Sequence, residues 1–249
     1  MPSVWKQAII VGASSGIGEE LARQLVAQGC RVALVARRQE ELERIVSALN
    51  AGGVQNALIY PHDVRHSEEI PTLFQKIAHD LGGVDLFIYA AGVMPAVEPN
   101  EYCFEKDRQM IEINLLGAIG WINEVAQRFG QTHSGTIVGI SSVAGERGRM
   151  TMPAYCTSKA AFTTYLEAIR NRIGRYGVKV VTVKPGPVIT PMTAGLGKMP
   201  LQITAERAAS EILVAAKRGR ANAFVPHTWR WIFLILRNVP SFVFKKLKL

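Results

Sequence analysis

Short apolar runs alternate with segments of helical periodicity along almost the whole chain. The apolar runs predict β-strands over residues 7–11, 31–36, 56–60, 84–90, 135–141, 178–184 and 222–226. Helices are predicted between them, over residues 17–28, 39–51, 67–80, 105–129, 154–175 and 204–218. Apolar strands that alternate with helices are typical of a parallel sheet covered by helices on both faces. The pattern therefore predicts an α/β fold, a single doubly wound domain with about seven parallel strands.

One such domain accounts for residues 1–226, which contain no linker and no internal repeat. A chain of 249 residues is long enough to bury a substantial core in a single domain. Residues 227–249 form a basic, aromatic segment after the last predicted strand. Ligands of doubly wound sheets bind beyond the carboxyl ends of the strands. We therefore expect the functional residues at the ends of the predicted strands.

A glycine-rich turn follows the first predicted strand, with glycines at positions 12, 16 and 18. Glycine lets the backbone turn sharply and approach a pyrophosphate, and the next helix offers its free N–H groups and positive dipole end to that anion. The alternative is a glycine-rich turn that binds no ligand. The residues predicted to contact a dinucleotide here are Gly12, Ser14, Ser15, Gly16, Ile17 and Gly18.

Tyr155 and Lys159 lie four residues apart in a predicted helix, which places both side chains on one face, one turn apart. A nearby ammonium favours phenolate over phenol and so lowers the tyrosine pKa from its usual value of about 10. A tyrosine with a lowered pKa is a usable general acid or base. Ser142, thirteen positions upstream at a strand end, can hydrogen-bond the oxygen that exchanges a proton with Tyr155. Together the three residues predict acid–base chemistry at a carbonyl or alcohol.

The end of the second predicted strand indicates which dinucleotide is bound. Proteins that bind NAD usually place an Asp or Glu about 20 residues after the glycine-rich turn, where it accepts from the ribose 2′-hydroxyl. Here the strand ends in Ala36, followed by Arg37 and Arg38. A guanidinium binds a 2′-phosphate well, and the Ser14 hydroxyl can add to it. We predict NADP(H), with Arg37 as the main contact because it directly follows the strand; the alternative is that both arginines are a solvated helix start.

Several short motifs occur in a fixed order along the chain. They are Gly12-x3-Gly16-Ile17-Gly18, Asp63-Val64, Ala90-Ala91-Gly92, Asn114, Ser142, Tyr155-x3-Lys159, and Pro185-Gly186 with Thr190. With these motifs the chain resembles the classical short-chain dehydrogenases/reductases over almost its whole length. The resemblance implies a Rossmann-type domain, a nicotinamide cofactor, and hydride exchange with a carbonyl or an alcohol.

For the adenine end of the cofactor, the resemblance implies that Asp63 caps the edge of the base and Val64 packs against its ring. The alternative is that Asp63 caps the helix that follows it. The Ala90-Ala91-Gly92 motif differs from the family's more usual Asn-Asn-Ala-Gly, because Tyr89 and Ala90 hold the positions of the two asparagines. Its glycine, which permits close approach of the cofactor, is kept.

Asn114 is a polar residue in an apolar helical stretch, and such a residue needs a partner when it is buried. The resemblance implies that it lies at a helix kink whose water connects Lys159 to solvent, which gives Tyr155 a proton path. The alternative is that its side chain satisfies a neighbouring backbone group.

After the sixth predicted strand, Pro185 and Gly186 begin a rigid turn. The resemblance implies that Val188 and Thr190 hold the nicotinamide carboxamide. Residues 192–203 contain two glycines and a proline and are predicted to form a mobile lid over the substrate.

The resemblance also implies the reaction. NADPH gives a hydride to a carbonyl carbon while Tyr155 protonates the oxygen, which Ser142 holds. Lys159 lowers the tyrosine pKa and binds the nicotinamide ribose, and oxidation uses the same groups in reverse. We therefore predict an NADP(H)-dependent oxidoreductase that acts on a carbonyl or secondary alcohol of lipophilic character. The alternative is a non-catalytic NADP-binding scaffold whose basic tail binds a partner or a membrane.

The last 38 residues, 212–249, contain eight basic residues and no Asp or Glu, whereas the whole chain has a net charge of +9. These basic residues are Lys217, Arg218, Arg220, Arg230, Arg237, Lys245, Lys246 and Lys248. Three interpretations of this segment stay open: an interface with a sister subunit, a wall of the substrate pocket, or a segment lying in an anionic membrane surface. Nucleic-acid binding is not expected, because the basic residues are few and lie among apolar ones.

The remaining expectations concern partners and location. The helices predicted over 105–129 and 154–175 resemble the family's dimer-forming pair, which predicts a homodimer or homotetramer. Three cysteines without metal-ligand spacing, and no secretory signal at the start, predict free thiols and a cytoplasmic protein. The five histidines are scattered, so no metal site is expected.

Overall fold

A computed structural model describes residues 4–51, 55–98, 100–197 and 199–247 of the chain. The strands in these residues are β1 (Gln7–Val11), β2 (Arg31–Ala36), β3 (Ala57–Pro61), β4 (Leu86–Tyr89), β5 (Thr136–Ile140), β6 (Lys179–Pro185), β7 (Val188–Ile189), β8 (Ile203–Thr204) and β9 (Asn222–Val225). Seven of them form one parallel sheet in the order β3-β2-β1-β4-β5-β6-β9. The predicted fold class and seven-stranded sheet are confirmed. The short strands β7 and β8, which were not predicted, pair separately.

The helices of the described residues are α1 (Gly16–Ala27), α2 (Gln39–Leu49), α3 (Ile70–Leu81), α4 (Phe104–Ile111), α5 (Gly117–Thr132), α6 (Pro153–Ile173), α7 (Ala205–Lys217), α8 (Trp229–Asn238) and α9 (Ser241–Phe244). The segment predicted as one helix over 105–129 is divided by a π-helical turn, Glu112–Leu116, which separates α4 from α5 at the place where the resemblance implies a kink. Asn114 lies in this turn, and its side chain hydrogen-bonds the backbone of Val93 in the loop after β4.

Alternate residues of each strand supply the cores on the two faces of the sheet. Ala8 and Ile10 of β1 pack into one core with α1, α2 and α7. Ile9 and Val11 point the opposite way and pack with α3, α5 and α6. Because successive side chains of a strand point to opposite faces, a strand buried on both sides must be apolar throughout. This explains why continuous apolar runs predicted the strands.

The chain changes direction across the sheet at β1, which lies between β2 and β4. Strands β2 and β3 lie on one side of β1, and the rest of the sheet lies on the other. The loops after β1 and β4 therefore diverge and leave a crevice at the carboxyl edge, where doubly wound sheets bind ligands. The register pairs Val11 with Val35 and with Tyr89, so the ends of these three strands meet at this crevice.

The C-terminal segment folds back onto the domain as α8 and α9. Trp229 and Phe233 are 9% and 2% exposed and pack against Val143, in the 3₁₀ turn Val143–Glu146 that follows β5. Residues four apart lie on one helix face, which is the face that α8 buries. Lys248 lies outside the described residues. Within the described residues, no helix is long and apolar enough to cross a membrane.

Candidate active site

A cavity of about 390 Å³ opens at the carboxyl edge of the main sheet. The predicted site residues that line it are Gly12, Ser14, Ser15, Gly16, Ile17, Gly18, Arg37, Arg38, Asp63, Val64, Ala91, Gly92, Ser142, Tyr155, Lys159, Pro185, Gly186, Val188 and Thr190. Asn114 is the one predicted site residue that does not line it. Residues from six loops and two helices thus meet in one place.

The glycine-rich turn has no room for a side chain at Gly12 or Gly18. Gly12 has φ +89°, and a Cβ built on it would overlap the backbone nitrogen of Ala91. A Cβ on Gly18 would overlap the carbonyl oxygen of Gly12. The turn is therefore closely packed against the β4 loop, and it starts α1 at the cavity, with Ser15 as its N-cap. The unpaired N–H groups of this first turn suit an anion such as pyrophosphate.

The two arginines after β2 have different partners. Arg38 donates from Nη2 to the hydroxyls of Ser14 and Ser15, at 2.8 Å each. Arg37 is 59% exposed and lies 3.8 Å from a carboxylate oxygen of Asp63. Arg38 therefore joins the glycine-rich turn to the end of β2, whereas Arg37 faces the loop after β3.

Asp63 is held as a carboxylate at the cavity wall. Its main partner is Arg65, whose Nη2 lies 2.7 Å from Oδ2. Hydrogen bonds from the Arg65 side chain are the main cause that lowers the Asp63 pKa to about 2, and Arg37 adds to the effect. The side chain is thus ionised at neutral pH and available as a hydrogen-bond acceptor.

Tyr155 and Lys159 lie on one face of α6, as predicted, with Lys159 Nζ 5.8 Å from the centre of the tyrosine ring. Lys159 donates from Nζ to the carbonyl oxygen of Ile140 at 3.0 Å. Burial lowers the Lys159 pKa to about 8. Burial also raises the Tyr155 pKa, while a hydrogen bond with Ser142 acts in the opposite direction.

This direction for Tyr155 is the reverse of the one predicted from the sequence. The prediction considered the ammonium of Lys159 and left out the cost of placing a phenolate in a buried site, which favours the neutral form. The consequence is that Tyr155 carries its proton at neutral pH, although the raised pKa makes it a weaker acid than an exposed tyrosine. Ser142 begins the 3₁₀ turn after β5, where its Oγ accepts from the N–H of Ala144 at 3.0 Å.

Asn114 supports the site from behind. Its Oδ1 accepts from the N–H of Val93 at 2.7 Å, and its Nδ2 donates to the carbonyl of Val93 at 3.0 Å and to Oγ of Ser158 at 3.1 Å. The two bonds to Val93 agree with the alternative prediction, in which the asparagine side chain hydrogen-bonds a backbone group. They also hold it near the lysine, since a Cβ built on Gly92 would lie 3.3 Å from Oδ1 of Asn114 and 3.4 Å from Nζ of Lys159. The π-helical turn supplies the kink that the family resemblance implies.

The sequence model described as short chain dehydrogenase matches residues 6–200. The chain belongs to the short-chain dehydrogenase family. Among curated relatives of this dehydrogenase, an uncharacterized oxidoreductase of Staphylococcus aureus (strain MW2) is 30% identical over 189 residues, which are 76% of this chain and 80% of that protein. An uncharacterized oxidoreductase of Staphylococcus haemolyticus is 31% identical over 186 residues, 75% and 79% of the two chains.

Solved structures share the fold of this dehydrogenase. A variant of actinorhodin polyketide ketoreductase, crystallised with NADPH, has a TM-score of 0.80 and 26% identity over 90% of this chain and 97% of that one. ElxO with NADP bound has a TM-score of 0.80 and 21% identity over 91% and 100% of the two chains, which shows the fold alone.

The residues in and beside the cavity of this dehydrogenase that were not predicted include His62, Thr193 and Trp229. His62 is buried beside Asp63, edge-on to Trp121 at 5.6 Å, and its Nδ1 has no hydrogen-bond partner among the described residues. Its position at the end of β3 was the available signal. Thr193 donates from Oγ1 to the carbonyl of Val188 at 2.6 Å. Trp229 fills the space where Gly186 has no side chain, and nothing in the local sequence indicates this long-range contact.

Proposed function

We propose that this dehydrogenase transfers a hydride between NADP(H) and a lipophilic carbonyl compound or secondary alcohol. The observation that carries the proposal is that Ser142 and Tyr155 line the same cavity as the glycine-rich turn and Arg38. Acid–base groups for a carbonyl and a cradle for a dinucleotide thus share one space. A scaffold that only bound the nucleotide would not need the acid–base groups.

The residues of the cavity suit a dinucleotide. The start of α1 and its glycines suit the pyrophosphate, and Asp63 and Val64 suit the adenine. At the other end, the turn Pro185–Thr190 suits the nicotinamide. The cradle is narrow, because a Cβ built on Gly16 would lie 3.0 Å from Cγ2 of Thr190.

Preference for NADP(H) is supported by the end of β2. Ala36 occupies the position where proteins that bind NAD usually have a carboxylate, which would repel a 2′-phosphate. Arg38 hydrogen-bonds Ser14 of the glycine-rich turn. In contrast to the order expected from the sequence, we assign the main phosphate contact to Arg38 and a secondary one to Arg37, because Arg38 hydrogen-bonds the hydroxyls of Ser14 and Ser15, whereas Arg37 faces Asp63. A structurally similar ketoreductase, described with NADPH, agrees with this choice.

The bound nicotinamide supplies or accepts the hydride. In the reductive direction, Tyr155 donates its proton to the carbonyl oxygen as negative charge develops there. Ser142 hydrogen-bonds the same oxygen and stabilises that charge. Lys159 keeps a positive charge nearby that stabilises the tyrosinate left behind, and Asn114 holds the loop at Val93 that borders the lysine.

A lipophilic substrate is supported by the apolar residues around Tyr155. Met94, Met110 and Met152 pack in one cluster with the tyrosine. Met192 lines the cavity from the 3₁₀ segment Pro191–Leu196 and is 41% exposed. Methionine side chains adapt to irregular apolar ligands.

We also propose that the protein is a homodimer or homotetramer in the cytoplasm. Phe104 and Leu116, at the start of α4 and in the π-helical turn, are 74% and 54% exposed, as expected of residues that a second subunit covers. The cysteines, free in the described residues, agree with a reducing compartment.

The experiment is a comparison of NADPH and NADH oxidation over aldehydes and ketones of graded chain length, with the Tyr155→Phe variant as the blank. We expect turnover that requires NADPH and increases with chain length. A folded protein that binds NADPH and turns over none of these compounds would favour the scaffold alternative. Equal turnover by the Tyr155→Phe variant would refute the assignment of the proton donor.

A further inference from the structure

The outer surface of the C-terminal helices exposes a group of large apolar side chains. This docking face consists of Trp231, Leu234 and Ile235 of α8, and of Phe242, Val243 and Leu247 in and after α9. Trp231, Ile235 and Phe242 are 60%, 69% and 67% exposed. Side chains of this size are seldom left in water as a group on a monomer surface, so the face indicates an interaction.

The C-terminal segment that forms the docking face contributes basic residues and no acidic ones, and Glu211 of α7 lies at its edge, where it lines a cavity with Arg230 and Trp231. Arg230, Lys245 and Lys246 are exposed beside it, and the guanidinium of Arg230 lies 5.7 Å from the centre of the Trp231 ring. From residue 212 onward the chain has no Asp or Glu. The surface thus combines apolar side chains, a tryptophan and positive charge, which together favour the interface of an anionic bilayer.

This charge argues against a second copy of the chain as the occupant. Two copies that met symmetrically through this face would bring the same basic residues together, and like charges across an interface are unfavourable. An anionic lipid surface has the complementary sign. It also accepts the apolar side chains, which nucleic acid would not.

The docking face is held rigidly on the protein. On its inner side, α8 buries Trp229 and Phe233. At its end, Arg147 donates to the carbonyl oxygens of Leu236 and Val239 at 2.6 and 2.5 Å. The face therefore needs no folding step on binding, which avoids part of the entropy cost of association.

We propose that the outer face of α8 and α9 docks this protein on the surface of anionic phospholipid bilayers. The inner side of α8 contacts Gly186, which lines the cavity. It also contacts Val143, which directly follows Ser142 in the chain. A helix with its side chains is about 10 Å across, so a docked bilayer lies about one helix diameter from the wall of the cavity. A lipophilic substrate would then have a short path from the bilayer to the cavity. This consequence rests on the proposed function, whereas the docking proposal is independent of it.

The test is co-sedimentation of the full chain with vesicles of phosphatidylcholine alone and of phosphatidylcholine with phosphatidylglycerol. Two double variants test the face: Trp231→Ser with Ile235→Ser, and Lys245→Gln with Lys246→Gln. Lys6→Gln with Lys179→Gln is the matched control, since it removes the same charge from exposed positions at the amino edge of the main sheet, before β1 and at the start of β6. Circular dichroism and thermal unfolding show that each variant is folded.

We expect the full chain to bind the anionic vesicles, and we expect salt to weaken this binding. Replacing both lysines should weaken it about 30-fold, because each basic residue near an anionic surface contributes roughly a fivefold factor in affinity. The serine variant should lose binding, and the control should keep most of it. Absence of binding by the full chain, or equal losses in the control and the lysine variant, would overturn the proposal. The proposal would also be overturned if light scattering showed that the serine variant alone forms a smaller oligomer, because the face would then be a subunit interface. None of these readouts uses turnover, so they are independent of the proposed reaction.

Discussion

Replacing Glu146 by glutamine should destabilise the protein strongly, because it leaves a buried lysine without its counter-charge. Lys184 Nζ lies 2.5 Å from Oε1 of Glu146, and the two side chains are only 9% and 6% exposed. Removing one partner of such a buried pair costs about 3–5 kcal/mol, since the other charge stays out of water without compensation. Glutamine keeps the size of the side chain, so the effect reports the charge and not a cavity.

The same carboxylate has a second partner that serves as the control. Arg237 lies 3.5 Å from Oε2 of Glu146, but its side chain is 56% exposed. An exposed ion pair contributes about 0–1 kcal/mol, because water screens it and solvates the group that remains. Arg237→Gln should therefore change the free energy of unfolding little, although it breaks an ion pair with the same carboxylate.

The assay is urea unfolding followed by circular dichroism at one protein concentration. With a slope of about 1–3 kcal/mol per molar urea, Glu146→Gln should lower the unfolding midpoint by at least about 1 M. A double replacement, Glu146→Gln with Lys184→Met, should recover much of the loss, because it removes both charges. The reasoning is refuted if Glu146→Gln and Arg237→Gln shift the midpoint equally, or if the double replacement is worse than the single one.

Three further predictions concern the cavity. Tyr155→Phe should lower kcat by about 10²- to 10⁴-fold, the range for loss of a general acid, with NADPH affinity by fluorescence titration nearly unchanged; an unaltered kcat would contradict it. Arg38→Gln should raise the KM for NADPH by about 10- to 150-fold, from about 1.5–3 kcal/mol for a charge-assisted hydrogen bond, with NADH unaffected and a smaller change in the matched Arg37→Gln variant. Because burial lowers the Lys159 pKa from 10.5 to about 8, the unfolded chain binds more protons than the native one between these values. The free energy of unfolding should therefore rise with pH across that window, and the rise should be smaller in Lys159→Met. Urea unfolding at pH 8 and pH 10.5 measures this, and an equal change in the free energy of unfolding in both proteins would contradict the burial of Lys159.

The sequence predicted the main sheet well because each of its strands is buried on both faces, which makes the apolar run visible locally. The π-helical turn was not predictable in this way. It depends on hydrogen bonds between Asn114 and Val93, which are 21 residues apart. Strands β7 and β8 have two residues each, too few to show any periodicity. Helix α8 was not predicted, although Arg230 and Arg237 stand seven residues apart, which places them on one face of a helix.

The candidate site was predictable in its composition and less so in its geometry. The motifs identified the residues that meet at the cavity, because parallel strands bring their carboxyl ends to one edge. Which arginine turns back to Ser14 depends on the backbone at the start of α2, where Arg38 is the extended N-cap residue. The direction of the Tyr155 pKa depends on burial, which neighbouring residues in the sequence do not reveal.

The contact between Gly186 and Trp229 has a consequence for how sequences of this kind can diverge. Any side chain at position 186 would occupy the space of the indole, so an alanine there is acceptable only with a smaller residue at position 229. The two positions, 43 residues apart in the chain, are thus expected to vary together among relatives that keep the C-terminal helix. Relatives that have lost the helix are free of that restriction and gain an open surface behind the turn, which is one route by which a common scaffold can acquire differently shaped pockets.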